Sequence, residues 1–234
     1  MHLNMRQIPL AAVRKLVAVL VFVALCGAQI SARASSLDEF FTAIQRDRPS
    51  AVTALALRGF DLNTRNAAGE PGLLLALRAE SFAVAALLLE HPGIDLQARS
   101  PSGETALMMA ALRGHLPLVR RLIERGAAVN QPGWTALHYA ASSDAPQSID
   151  IVRLLLEQQA LINAESPNRS TPLMMAALYG QSSVVQLLLM RGANPLLKNE
   201  QGLTAIDFAH RADRSSVAEQ IAAAARARQP LGRW

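Results

Sequence analysis

Cysteine is almost missing from this chain: Cys26 is the only one in 234 residues. It falls in a segment that reads as a removable leader, so the remainder can form no disulfide and no thiolate metal site, even in an oxidising compartment. Stability therefore has to come from packing. The apolar run at the N-terminus, Leu16 to Ala28, is only 13 residues long before Gln29, whereas a bilayer span takes about 20. A Gly-rich phosphate loop and an H-E-x-x-H pair are both absent, which removes the common nucleotide and zinc-hydrolase readings.

That short run has the order of parts of a secretory leader. Arg14 and Lys15 precede it, and Ala32-Arg33-Ala34 follows with the small-x-small pattern of a signal peptidase site. Residues 1–34 are therefore expected to be a signal peptide cleaved after Ala34. Leu25 stands where a lipoprotein needs a small residue before Cys26, and Arg14-Lys15 is not a twin-arginine pair. Export as an unfolded chain, to the periplasm or beyond, is the expectation. A leader that stayed attached would instead make a membrane-tethered adaptor.

Charge of one sign is also lacking once the leader is gone. The whole chain carries +5, but removing the leader's four basic residues (Arg6, Arg14, Lys15, Arg33) from 23 leaves 19 against 18 acidic ones. Nucleic-acid binding is not expected from such a balance, and Arg120-Arg121-Arg125 and Arg226-Arg228 read as solvated helix faces. Arg121 stands where other units carry leucine, and its stem can lie on the core with the head in water.

What is present is repetition. Gly69 to Gly103 is 34 residues, Thr105 to Thr135 is 30, Thr135 to Thr171 is 36 and Thr171 to Thr204 is 33. Each marker opens a similar apolar run. A period near 33 means a solenoid of units that touch only their neighbours, with function on the outer surface. Thr105, Thr135, Thr171 and Thr204 are each placed to cap a short first helix, and Pro172 suits a first helical position. Ala110-Ala111 and Ala176-Ala177 let that helix approach its neighbours closely, and Gly114 and Gly180 are expected to end it in a left-handed conformation. A second helix follows, apolar on more than one side at Val184, Val185, Leu187, Leu188 and Leu189. One such unit cannot cover its own apolar face, so about three or more are needed for stability.

In register, Thr171-Pro172-Leu173-Met174-Met175-Ala176-Ala177, Val184-Val185-Gln186-Leu187-Leu188-Leu189 and Arg191-Gly192-Ala193-Asn194 recur in order, as do Gly103 to His115 and Gly126 to Asn130. Trp134-Thr135-Ala136-Leu137-His138-Tyr139-Ala140-Ala141 is the best single unit. These residues resemble the ankyrin repeat. The resemblance implies an all-α solenoid of helix-turn-helix units joined by hairpin-like fingers, five to six units including caps. The leader at 1–34 would precede a repeat domain at 35–228, and 229–234 would be a flexible tail. Within the domain we expect an N-terminal cap at 37–66, repeats near 67–99, 100–130, 131–165 and 166–198, and a C-terminal cap at 199–226.

Local departures from the pattern are informative. Unit two reads Pro71-Gly72-Leu73, with Glu80 in place of the helix-ending glycine. The connector after Asn130 is three residues short, so its finger should be stunted. Ser142 to Gln147 makes the turn between the helices of unit four three residues longer than the pattern. Arg169 replaces a finger glycine, with Asn168 beside it expected to accept positive φ.

His138 and His115 are the visible catalytic candidates. Both fall on family positions where histidine serves the turn, and no nucleophile or orienting carboxylate recurs with them. The pairs Met108-Met109 and Met174-Met175 read as core filling rather than as copper ligands. We expect no catalysis, no cofactor and no metal. The resemblance implies a monomer that binds a protein partner on a concave face built from finger tips and first-helix ends. The tip positions are Ala68, Glu70, Ser102, Glu104, Trp134, Asn168 and Gln201, and the helix-end positions are Arg78, Arg113, Ser143, Tyr179 and Arg211. Glu70, Arg78, Glu104, Arg113, Trp134, Ser143, Asn168, Tyr179 and Arg211 form the expected contact set. Trp134, Tyr179, Arg113 and Arg78 lead it because aromatics and arginines dominate binding surfaces.

Overall fold

A computed structural model describes residues 35–228; the leader and the tail beyond Arg228 lie outside the described residues. The described chain is built from helices in six pairs, joined by loops in which isolated antiparallel bridges link Arg65 with Pro71 and Arg99 with Thr105. The first helices are α1 (35–45), α3 (Gly72–Arg78), α5 (Ala106–Leu112), α7 (Ala136–Ser142), α9 (Pro172–Leu178) and α11 (Ala205–Arg211). Their partners are α2 (Pro49–Leu57), α4 (Phe82–Glu90), α6 (Leu116–Glu124), α8 (Ser148–Glu157), α10 (Ser182–Met190) and α12 (Ser215–Arg228). From α3 to α11 the first helices pack in one row, and the second helices from α2 to α12 form a row behind them. Among the described residues none of these helices is long and apolar enough to cross a membrane.

One continuous core joins the rows, from Phe40 and Ile44 through Leu74, Leu107, Leu137, Leu173 and Val185 to Ile221. Burying each large aliphatic side chain is worth about 1.5 to 3 kcal/mol, and most of these face a neighbouring unit as well as their own. The departure at Pro71-Gly72 has a packing reason. A Cβ on Gly72 would sit 2.7 Å from the ring of Phe40, so the small residue makes room for the aromatic that seals the N-terminal end.

The four threonines all open first helices, but in two ways. The hydroxyls of Thr105 and Thr171 accept from the N–H groups of Met108 and Met174, each at 3.4 Å. The other two hydroxyls pair with a side chain three residues on: Thr135 with the His138 ring at 2.9 Å, and Thr204 with the Asp207 carboxylate at 2.7 Å. In every case that third residue reaches back to the threonine N–H, through Met108 Sδ, His138 Nδ1, Met174 Sδ or Asp207 Oδ2. Thioether, imidazole and carboxylate thus perform one task, which satisfies an otherwise orphaned donor at the helix start. The Asp207 carboxyl is held below its ordinary range, first by the Thr204 hydroxyl.

Two expectations about backbone conformation are corrected. Gly114 is left-handed, with φ +69°, but Gly180 is not. Its lack of a side chain serves contact instead, because a Cβ there would lie 2.0 Å from the carbonyl oxygen of Ala141 in the preceding unit. In the finger of unit five, Arg169 itself takes φ +60°. Asn168 stays out of that region, and its carboxamide oxygen accepts from Ser166 Oγ and Ser170 N. Glu80 likewise turns left-handed at φ +58°, an arrangement that non-glycine residues adopt at a cost of about 1 to 2 kcal/mol.

Candidate protein-binding face

Two ladders running between units decide which polar groups are left for a partner. On the loop side, the carboxamides of Asn63, Gln97, Asn130 and Asn163 each reach the next unit: they accept from the N–H groups of Asp95, Ala128, Leu161 and Asn194 at 2.8 to 3.2 Å. At the ends of the first helices, a side chain from the next unit donates to carbonyls in the last turn or in the turn just beyond it. Ser81 donates to Ile44, Arg113 to Arg78, Ser143 to Leu112, Gln181 to Asp144 and Ala145, and Arg214 to Ala176 and Ala177. Last-turn carbonyls have no partner within their own helix, and cations there also oppose the dipole. Burial lowers the pKa of the Arg214 guanidinium from its ordinary value.

Against these ladders, the expected contact residues separate. Ser143 is buried and spent on the helix-end ladder, donating to Leu112 O at 2.7 Å, so it presents nothing to a partner. Sequence reasoning placed it by register alone, whereas its hydroxyl turns to the end of α5 in the preceding unit. Arg78 is held between Glu70 and Glu104, whose side chains are only 14% and 20% exposed. Arg113 pairs with Glu80 at 3.0 Å and stays a third exposed. Asn168 is exposed at its finger tip with its oxygen committed to the turn, and Arg211 is exposed at the end of α11. Tyr179 is 60% exposed at the end of α9.

Trp134 explains the stunted finger. The other fingers are closed by a backbone bond across the tip, Asn66 to Glu70, Ser100 to Glu104, Ser166 to Ser170 and Asn199 to Leu203, at 2.9 to 3.0 Å. In the short finger the Gln131 side chain donates to Trp134 O at 2.8 Å instead. The indole folds onto its own unit, edge-on to His138 at 5.3 Å and to Tyr139 at 6.5 Å between ring centres. It remains half-buried and walls a pocket of about 210 Å³ lined by Leu112, Trp134, His138, Tyr139, Ser142 and Met175.

Tyr139, Leu112 and Met175 are the residues that sequence reasoning missed. The Tyr139 hydroxyl donates to Glu104 Oε1 at 3.1 Å, joining unit four to the Arg78 cluster of units two and three. Burial, and then the Glu104 charge, push its phenol above the ordinary range. The signal was an aromatic in a variable position of the first helix, next to His138.

His138 is a structural group. Its Nδ1 faces Thr135, its Nε2 pairs with Ser170 O at 3.0 Å in the next finger, and burial lowers its pKa to about 4. His115 caps α6, its Nδ1 accepting from Leu118 N at 3.2 Å, and its ring lies tilted against that of Phe82. The hydroxyl beside His138 belongs to Thr135, buried at the start of α7, so the pair closes a helix end inside the core. Arg121 pairs with Glu90 at 2.9 and 3.1 Å across units.

Comparison with known proteins agrees with this architecture. Profiles described as ankyrin repeats (3 copies) match residues 40–132 and 73–166, and one described as ankyrin repeats (many copies) matches 154–209. The chain is 38% identical over 80 residues to the ankyrin repeat and LEM domain-containing protein 1 homolog of Caenorhabditis elegans, covering 34% of this chain and 11% of that protein. It is 36% identical over 97 residues to palmitoyltransferase Hip14 of Drosophila melanogaster, covering 40% and 15%. The chain thus spans a small part of these relatives, one of which is an enzyme that carries such repeats. Among solved structures, it matches a chain of the complex of the Bd0816 predatory endopeptidase from Bdellovibrio bacteriovorus with immunity protein Bd3460. That match has a TM-score of 0.67 and 26% identity, over 79% of this chain and 97% of that one. The repeats are an interaction module rather than a catalytic one, and this chain belongs to the ankyrin-repeat family.

Proposed function

We propose that the chain is an exported, monomeric binding protein that captures another protein on the face formed by its finger tips and first-helix ends, without catalysis. The observation that carries this reading is the division of labour among polar groups. The two ladders consume most groups between units, while Tyr179 stays 60% exposed, Trp134 walls an open pocket, and Arg113, although it donates to Arg78 O and pairs with Glu80, keeps a third of its side chain exposed. Rigid aromatic and arginine side chains of this kind supply most of the energy of typical interfaces. The solved complex of similar fold supports it, being an assembly of two proteins. Export rests on Arg14-Lys15, the apolar run and Ala32-Arg33-Ala34.

Bait recovered from the periplasm tests both parts. Its N-terminus should be Ser35, and it should retain a partner from periplasmic extract. Replacing Arg113, Trp134 and Tyr179 together by alanine should abolish that capture with the helical circular dichroism unchanged. A bait that begins at Met1 removes the export reading, and full capture by the triple variant removes this face.

A further inference from the structure

The pocket beside Trp134 indicates what kind of group the partner presents, an inference that rests on the binding function proposed above. Three of its polar side chains are engaged internally: the Ser142 hydroxyl donates to Tyr139 O at 3.0 Å, the Tyr139 hydroxyl donates to Glu104, and the His138 ring nitrogens face Thr135 and Ser170. The lining is therefore mostly apolar, supplied by Leu112, Trp134, Tyr139 and Met175, with the indole N–H as its one further donor. At about 210 Å³ it falls below the roughly 300 to 1,000 Å³ of small-molecule sites, and suits a single large apolar side chain.

The rim has a sign. Arg78 serves both Glu70 and Glu104, and Arg113 serves Glu80. Asp144, two residues from Ser142, is exposed and has no ion pair among the described residues. Of these, Glu104 adjoins the lining through its bond to the Tyr139 hydroxyl and Asp144 through its place two residues from Ser142, and within the ion-paired cluster three carboxylates (Glu70, Glu80, Glu104) are met by two guanidinium groups. Carboxylates in excess at a rim favour a cationic partner and penalise an anionic one.

We propose that this pocket receives one aliphatic or aromatic side chain from a loop of the partner protein, flanked by lysine or arginine that meets the Glu104 and Asp144 side of the rim. The short finger is the enabling feature, since it leaves Trp134 as a wall where the other units close their tips through the backbone.

The test uses the full chain with Trp234→Phe, which leaves Trp134 as the only fluorophore of its kind. The probe is a synthetic nonapeptide with one leucine between lysines. Saturable change in Trp134 emission is expected, at least about tenfold weaker when glutamates replace the lysines or alanine replaces the leucine. Ser142→Arg, at the half-exposed rim, should weaken the lysine peptide similarly while circular dichroism stays constant. No saturable response, or an equal response to the glutamate peptide, overturns the proposal. If the native partner is captured and the triple alanine variant loses it while the peptide fails, the pocket proposal falls and the binding face stands. Peptide binding with no partner capture on this face would remove the face as a protein site.

Discussion

His138 shows how one side chain is fixed by its surroundings. Its ring closes the start of α7 and ties unit four to the next finger through Ser170 O, buried away from water. Burial makes the charged form unfavourable, and the folded-state pKa falls to about 4 from 6.5. The sign follows directly: between those values the unfolded chain binds a proton that the folded chain refuses. Stability should then drop as pH falls from about 6.5 to about 4, by up to roughly 3 kcal/mol. Urea titrations over that range should show this slope, and His138→Gln should flatten it. An unchanged slope in the variant would place the pH dependence elsewhere.

Many of the first helices find partners for their end groups, some within the unit and some in the next one. Threonines and their third neighbours serve the starts, and Ser81, Arg113, Ser143, Gln181 and Arg214 serve the ends. Gly180 belongs to the same boundary, pressed against Ala141 O. Alanine in place of a glycine near a helix usually stabilises, by about 0.5 to 1 kcal/mol. Here the opposite is expected, a loss of about 1 to 3 kcal/mol, because the Cβ meets backbone that cannot turn aside. Chemical denaturation of Gly180→Ala checks it, and a variant as stable as the parent would show that α7 and α9 can separate freely.

Helix pairing, the threonine starts and the continuous core from Phe40 to Ile221 were legible in the chain because each recurs at a fixed period. Contacts between units were less so. Ser143, Arg113 and Arg214 do the same work with different chemistry, so no residue type repeats to announce it. The pocket was hidden for another reason: Leu112, Tyr139 and Met175 come from three successive units and meet only when stacked. The missing residues after Asn130 marked the place without revealing what they expose. Similarly, Arg169 and Glu80 adopt a conformation that sequence reasoning reserved for glycine or asparagine, held there by the turns around them.

At the scale of the whole molecule, stacking consumes most of the polar groups between units, and recognition falls to side chains left exposed on the face of fingers and first helices, Tyr179 foremost. Tyr179 lies on that face and Gln186 points outward from α10 on the second row. A photoreactive phenylalanine analogue placed at either position, in bait exposed to periplasmic extract, reads the partner's location directly. The account predicts a covalent adduct from position 179 and none from position 186. An adduct from 186 with none from 179 would contradict it.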